Sequence, residues 1–221
     1  MLRLLLVDDH AVVREGYRRL LERRGDLAIV AEAGTAAEAQ AAFRAHAPAV
    51  TVLDLALPDM GGVELIGRLR QRDPSARILA FSMHREPLFA VQALKAGALG
   101  YVTKSSAPAV LVHSVYRVAA GERTLSPDIA PELAVALLED DTNPLRTLSP
   151  REFEILRLLL AGEAPAQIGA RLHISPKTVQ NSHYQIKRKL GARTDIDLAR
   201  LAARHGFDAA CDGAGKPTPD A

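Results

Sequence analysis

Short apolar runs alternate with helix-period segments along the first half of this 221-residue chain. Leu4-Leu5-Leu6-Val7, Val50-Thr51-Val52-Leu53 and Gly100-Tyr101-Val102-Thr103 have little polar alternation, and such runs read as parallel strands buried on both faces. The alternation repeats five times over residues 1–121 and predicts an α/β doubly wound sheet of five parallel strands with right-handed crossovers. Strands are expected near 3–8, 27–31, 50–54, 77–82 and 99–102, and helices near 11–24, 36–46, 62–72, 86–96 and 107–120. Local signals agree. Thr35 with Glu38 has the form of a capping box, Pro58-Asp59-Met60-Gly61-Gly62 is a turn cluster, and Gly97 and Gly121 stand where helices end.

The pattern then lapses. Residues 122–147 carry Pro127, Pro131, Pro144 and the run Glu139-Asp140-Asp141, and read as an acidic linker with one short helix near 132–139. Residues 148–206 are purely helical in pattern, an all-α domain. Ser149-Pro150 with Glu152 opens one helix and Pro165 to Leu172 makes a second. The chain turns at His173-Ile174, Ser175-Pro176 opens a third helix that Gly191 ends, and Thr194 with Asp197 opens a fourth that runs to Gly206. Residues 207–221, rich in glycine and proline, read as a disordered tail. No internal repeat is visible.

Hydrophobic content of 48% is ample for two cores, and no apolar stretch approaches the roughly 20 residues of a membrane span. No leader pattern opens the chain and Cys211 stands alone, which together point to a reducing cytoplasm and no disulfide framework. The net charge of +2 conceals a division. Residues 125–145 carry five acidic groups and no basic ones, whereas residues 146–206 carry 11 basic and five acidic. A basic block behind an acidic linker suggests a module that meets a polyanion.

Three of the strand runs end in ionisable residues: Asp8-Asp9, Asp54 and Lys104. Ligands of open α/β sheets bind outside the carboxyl ends of the strands, so these groups should converge. Clustered carboxylates repel unless a cation joins them, and hard oxygen donors suit Mg2+. The set supplies the parts for phosphoryl transfer to a carboxylate. Asp54 is the candidate nucleophile, Asp9 and Asp54 with Asp8 the metal ligands, Lys104 the fixed cation and Ser82 a hydroxyl donor to the phosphoryl group. Tyr101 reads either as core or as a ring that moves when Ser82 shifts.

Asp8-Asp9, the stretch Leu53 to Gly62, Phe81-Ser82 and Gly100 to Lys104 together resemble the flavodoxin-like receiver domain of two-component response regulators over about residues 1–121. The resemblance implies that Asp54 is the phosphoacceptor, that a sensor histidine kinase donates the phosphoryl group, and that Ser82 and Tyr101 form the switch. It also implies that the backbone carbonyl of Ala56 joins the metal site. Ala56 stands where larger side chains are common, and Ser105 where proline is common.

In the helical region, two helices joined by a tight turn, the second beginning Ser175-Pro176-Lys177-Thr178-Val179, make a helix-turn-helix signal. Gln180, Asn181 and Tyr184 share a face that can read base edges, amides being suited to adenine. Lys177, Thr178, Lys187, Arg188 and Lys189 are placed for phosphates. Leu148 to Glu152, Ile168, Leu172, Ile174 to Val179 and Lys189-Leu190-Gly191 resemble the LuxR-type DNA-binding domain. That family implies four helices, the last near 195–205 often forming a dimer contact. Gln167, Gly169 and Ser182 depart from its usual residues, and Gly169 should weaken its helix by roughly 0.5–1 kcal/mol relative to alanine.

The sequence thus points to a NarL/FixJ-type transcription regulator rather than an enzyme. Phosphorylation of Asp54 would expose the recognition helix or promote a homodimer on double-stranded DNA. Two rivals stand beside this reading. A ligand-gated LuxR-type regulator would have no use for the acid–lysine set, and a switch acting only through protein partners leaves the amide face unexplained.

Overall fold

The computed structural model describes residues 1–138, 143–172, 174–205 and 207. The Glu139-Asp140-Asp141 run, His173, Gly206, Cys211 and the tail from 208 lie outside the described residues. In chain order the elements are β1 (Leu2–Val7), α1 (Ala11–Glu22), β2 (Leu27–Ala33), α2 (Ala36–His46), β3 (Val50–Leu53), α3 (Gly62–Arg72), β4 (Ile78–Ser82), α4 (Pro87–Ala96), β5 (Gly100–Thr103) and α5 (Pro108–Ala119). There follow β6 (Thr124–Leu125), α6 (Ala130–Leu138), a 3-10 turn (Pro144–Thr147), α7 (Pro150–Leu160), α8 (Pro165–Leu172), α9 (Pro176–Leu190) and α10 (Asp195–Arg204).

All strands pair in parallel, in the order β2-β1-β3-β4-β5-β6. The expected sheet of five strands gains a sixth, because Thr124 and Leu125 pair with Gly100 and Tyr101. Two residues are too few to display strand periodicity, so the linker hides this edge. Leu4, Leu6, Val52, Leu79, Phe81 and Val102 face one side of the sheet, over Leu21 of α1 and Leu111, Val115 and Val118 of α5. Leu5, Val7, Leu53, Ile78, Ala80 and Tyr101 belong to the other core, with α2, α3 and α4.

That second core does not stop at the sheet domain. It runs on through Leu88 and Phe89 of α4, Ile129 and Leu133 of the linker, and Phe153, Leu156, Ile168, Val179 and Ile186 of the helical domain. Phe89 meets Phe153 edge-on at 5.2 Å between ring centroids and stacks near Phe207 at 5.6 Å. Phe207, which composition alone puts at the head of the tail, is therefore core, only 3% exposed. Arg151 of α7 pairs with Glu64 of α3, and Lys95 of α4 donates to the Arg146 carbonyl at 3.3 Å. The two domains are docked, α7 against α3 and α4.

The caps explain the helix boundaries. Ser149 and Glu152 close a reciprocal box at α7, and Thr194 with Asp197 does so at α10. Thr35 caps α2 through the Glu38 amide, but the Glu38 carboxylate takes the Gly34 N–H instead, at 2.7 Å.

Candidate functional site

The ends of β1, β3 and β5 bring the expected acids and lysine together. Asp54 N–H donates to the Val7 carbonyl and Lys104 N–H to the Ser82 carbonyl, fixing neighbouring strand ends in register. From there the Lys104 ammonium reaches Asp8 Oδ2 at 2.6 Å and Asp54 Oδ2 at 2.5 Å. Asp8 and Asp54 are buried, and Lys104 is nearly so, its side chain only 7% exposed. The Ala56 amide donates to Asp54 Oδ1 at 3.1 Å, so one carboxylate oxygen is held by backbone and the other by a cation.

Burial pushes the Asp54 carboxyl above its ordinary range, an effect only partly offset by the Lys104 charge. Burial pulls Lys104 down, yet the Asp54 and Asp8 carboxylates outweigh it and hold the ammonium above its ordinary value. A desolvated carboxylate beside a fixed cation is the environment in which an incoming anionic group is oriented rather than repelled.

Asp9 lies outside the lysine's grip. Its Oδ1 is 2.6 Å from His10 Nδ1, and the His10 amide donates to Asp8 Oδ1 at 2.9 Å. Ligand atoms of Asp8, Asp9 and His10 all lie within 4.8 Å of one another. Two carboxylates on consecutive residues make an oxygen-rich cradle that suits a hard divalent cation. The imidazole, which no sequence motif singles out, adds a softer donor at its rim.

Ser82 is fully buried, and its Oγ accepts from the His84 amide at 3.2 Å. Tyr101 is also fully buried, its hydroxyl donating to the His84 carbonyl at 2.8 Å, and burial raises the phenol's pKa. The ring is thus core and a hydrogen-bonded tether at once. His84, missed in the sequence, is the residue both contact. Its ring lies flat on Phe89, 3.7 Å between centroids, and so links the strand ends to the domain seam. The Lys104–Ser105 peptide is trans, there being no cis bond among the described residues.

In the helical domain, α9 buries Val179, Ile186 and Leu190 and leaves Lys177, Thr178, Gln180, Asn181 and Arg188 exposed, with Tyr184 63% exposed. This face of α9 is open to solvent while the domains are docked. Lys187 and Lys189 stand near the helix end but are engaged, Lys187 with Asp195 at 3.0 Å and Lys189 with Glu152 at 2.7 Å. Such exposed pairs are worth about 0–1 kcal/mol, little enough for a phosphate to displace them. Gly169 has a reason to be glycine: an added Cβ would sit 2.8 Å from the Ile174 carbonyl in the turn that leads into α9.

Comparison with known proteins agrees with this geometry. Residues 4–116 match the response regulator receiver domain, and residues 146–202 match the bacterial regulatory proteins of the luxR family. The chain is 34% identical to response regulator UvrY of Escherichia coli strain K12 over 94% of its own length and 96% of UvrY. It is 36% identical to response regulator GacA of Pseudomonas viridiflava, covering 94% of this chain and 98% of that one. Among solved structures, RcsB of Salmonella enterica serovar Typhimurium, bound to a promoter in the presence of a phosphomimetic, aligns with a TM-score of 0.70 at 25% identity, covering 92% of this chain and 98% of that one. With its acid–lysine pocket on one domain and an open helix-turn-helix face on the other, the chain belongs to the two-component response regulators of the NarL/FixJ type, a receiver domain joined to a LuxR-type DNA-binding domain.

Proposed function

We propose that Asp54 accepts a phosphoryl group from a sensor histidine kinase in the cytoplasm and that the modified receiver alters how two copies of the chain assemble on double-stranded DNA. The observation that carries this reading is the Lys104 ammonium bridging Asp8 and Asp54 at 2.6 and 2.5 Å in a buried pocket at the strand ends. Asp54 Oδ2 attacks phosphorus as the N–P bond to the kinase's phosphohistidine breaks and its imidazole leaves with a proton from solvent, and Lys104 follows the charge onto the phosphoryl oxygens as its carboxylate partner becomes an acyl phosphate. The Ser82 hydroxyl turns from the His84 amide toward the new group, and Tyr101 and His84 carry that movement to α4. Asp8, Asp9 and Asp54, with the Ala56 carbonyl, would hold Mg2+, which supplies neutralising charge for the phosphoryl oxygens.

Gln180, Asn181 and Tyr184 read base edges, and Lys177, Thr178, Lys187, Arg188 and Lys189 hold the phosphates. Because the reading face is exposed with the domains docked, control falls on dimer assembly rather than on uncovering the recognition helix. The chain's role is switching, not turnover of a metabolite. Radiolabelled acetyl phosphate with Mg2+ tests the chemistry: wild type is expected to take up label and Asp54→Asn none, because the amide is no phosphoacceptor. Equal labelling of the variant would move the site elsewhere.

A further inference from the structure

The turn that carries Lys104 is tied down from behind by a residue of the linker. Thr103 precedes the lysine, and Ser105 and Ser106 follow it. All three hydroxyls converge on one carboxylate, that of Asp128: Thr103 and Ser105 on Oδ2, the latter at 3.3 Å, and Ser106 on Oδ1 at 2.9 Å. The Thr103 amide donates to Ser126 Oγ at 3.3 Å, and the Ser126 amide to the Tyr101 carbonyl at 2.9 Å. The sixth strand therefore delivers Ser126 and Asp128 to the back of the β5 exit, on the side away from Asp54. Partial burial pushes the Asp128 carboxyl up, but the hydrogen bonds from Thr103, Ser126 and Ser106 outweigh it and hold the group as the anion, with its pKa lowered to about 2. The charges that act most on Lys104 are those of Asp54 and Asp8, so any influence of Asp128 on it would have to pass through the turn.

We infer that Asp128 is a positioning residue for phosphoryl acceptance: it grips the turn through Thr103 on one side and through Ser105 and Ser106 on the other, and so aims the Lys104 ammonium between Asp8 and Asp54. The inference rests on the phosphoacceptor reading of Asp54. A misplacement of about 1 Å at a reacting centre can slow a reaction by up to about 100-fold, so a loosened lysine turn should register in the rate.

The test uses the full chain, acetyl phosphate as donor and saturating Mg2+. Asp128→Ala is expected to slow labelling by about 10-fold, with Asp128→Asn in between because it keeps one acceptor oxygen. The Mg2+ dissociation constant should stay within about twofold, since Asp8 and Asp9 are untouched. In a Lys104→Met background, adding Asp128→Ala should cost nothing further, because the residue acts through the lysine. A wild-type rate for Asp128→Ala and Ser106→Ala, or an undiminished effect without Lys104, would overturn the inference. No labelling of the wild type would overturn the Asp54 reading and this one with it, whereas labelling that is lost in Asp54→Asn but indifferent to Asp128 sinks this one alone.

Discussion

Replacing Gly61 by alanine would put one methyl group into the seam between the domains. The backbone there, φ −60° and ψ 134°, suits any residue, so the change brings no local strain. The added Cβ would lie 2.5 Å from Glu154 Cδ and 2.7 Å from Cγ and Oε2. Carbon atoms rest at about 3.5–4.0 Å, so something must move by about 1 Å. Glu154 is buried, and its oxygens hold the Arg157 guanidinium at 2.7 and 3.2 Å. Drawing Glu154 off Arg157 weakens a buried pair, whose outright loss costs about 3–5 kcal/mol. Drawing α7 back instead loosens the Phe89–Phe153 and Phe89–Phe207 contacts, each worth about 0.5–1.5 kcal/mol beyond its buried area, and strains the Arg151–Glu64 pair. Either way only the docked form bears the cost, and the cheaper route sets it at about 1–3 kcal/mol, or about a 5- to 150-fold fall in the docked-to-open ratio. Small-angle scattering should show a larger radius of gyration for Gly61→Ala, and amide exchange on α4 should quicken, with the helical content unchanged. An unchanged radius and unchanged exchange would refute the reasoning.

His84 should make docking pH-dependent. Burial holds its imidazole below the ordinary 6.5, with Arg157 adding to the shift and Glu86, Asp54 and Glu154 opposing it. A base with a depressed folded pKa contributes stability above its unfolded value that is lost as pH falls, so the docked fraction should drop below about pH 6.5, and His84→Gln should flatten the scattering profile. Arg188→Ala should weaken binding to all duplexes alike and reduce the log–log salt slope by about 0.9, whereas Asn181→Ala should flatten base preference at one position and keep the slope; a random-duplex selection separates the two. Gly169→Ala should lower the melting temperature despite alanine's better helix propensity, because its Cβ meets the Ile174 carbonyl at 2.8 Å; a raised one would show that the turn yields.

The acid–lysine pocket was legible because its signal is local. A strand's last residues name themselves by the end of an apolar run, and parallel topology carries them to one edge whatever lies between. The caps at Ser149 and Thr194 were legible for the same reason, being patterns of four residues. The residues that escaped are those defined by a distant partner. Asp128 looks like one more acid in an acidic linker until Thr124 and Leu125 pair with β5 and set it behind Thr103. His84 has no strand-end signal, and its place follows from Phe89 and from the Tyr101 hydroxyl. Phe207 sits beside a glycine-rich, proline-rich stretch whose composition masked one buried ring. Gly169 read as a weakness of α8 because its reason, the close approach of the turn before α9, is tertiary.

The docked state also carries its own opposition. Gln92 lies on α4 one turn beyond Phe89, on the same side of the helix, and is fully buried. Neither atom of its amide has a hydrogen-bond partner among the described residues. An orphaned buried amide costs about 1–3 kcal/mol, comparable to what one or two of the aromatic contacts on the same face contribute. The buried side of α4 therefore combines strong apolar contacts at Phe89 with a polar group that would gain from contact with water. A surface balanced in this way is one that a modest change at the strand ends can tip. The path from Asp54 to that surface is short: Ser82 and Tyr101 both bond to the backbone of His84, and the His84 ring lies on Phe89. On the proposed reading, a charge added at Asp54 would need to move only one hydroxyl and one ring to reach the contact that holds the DNA-binding domain in place.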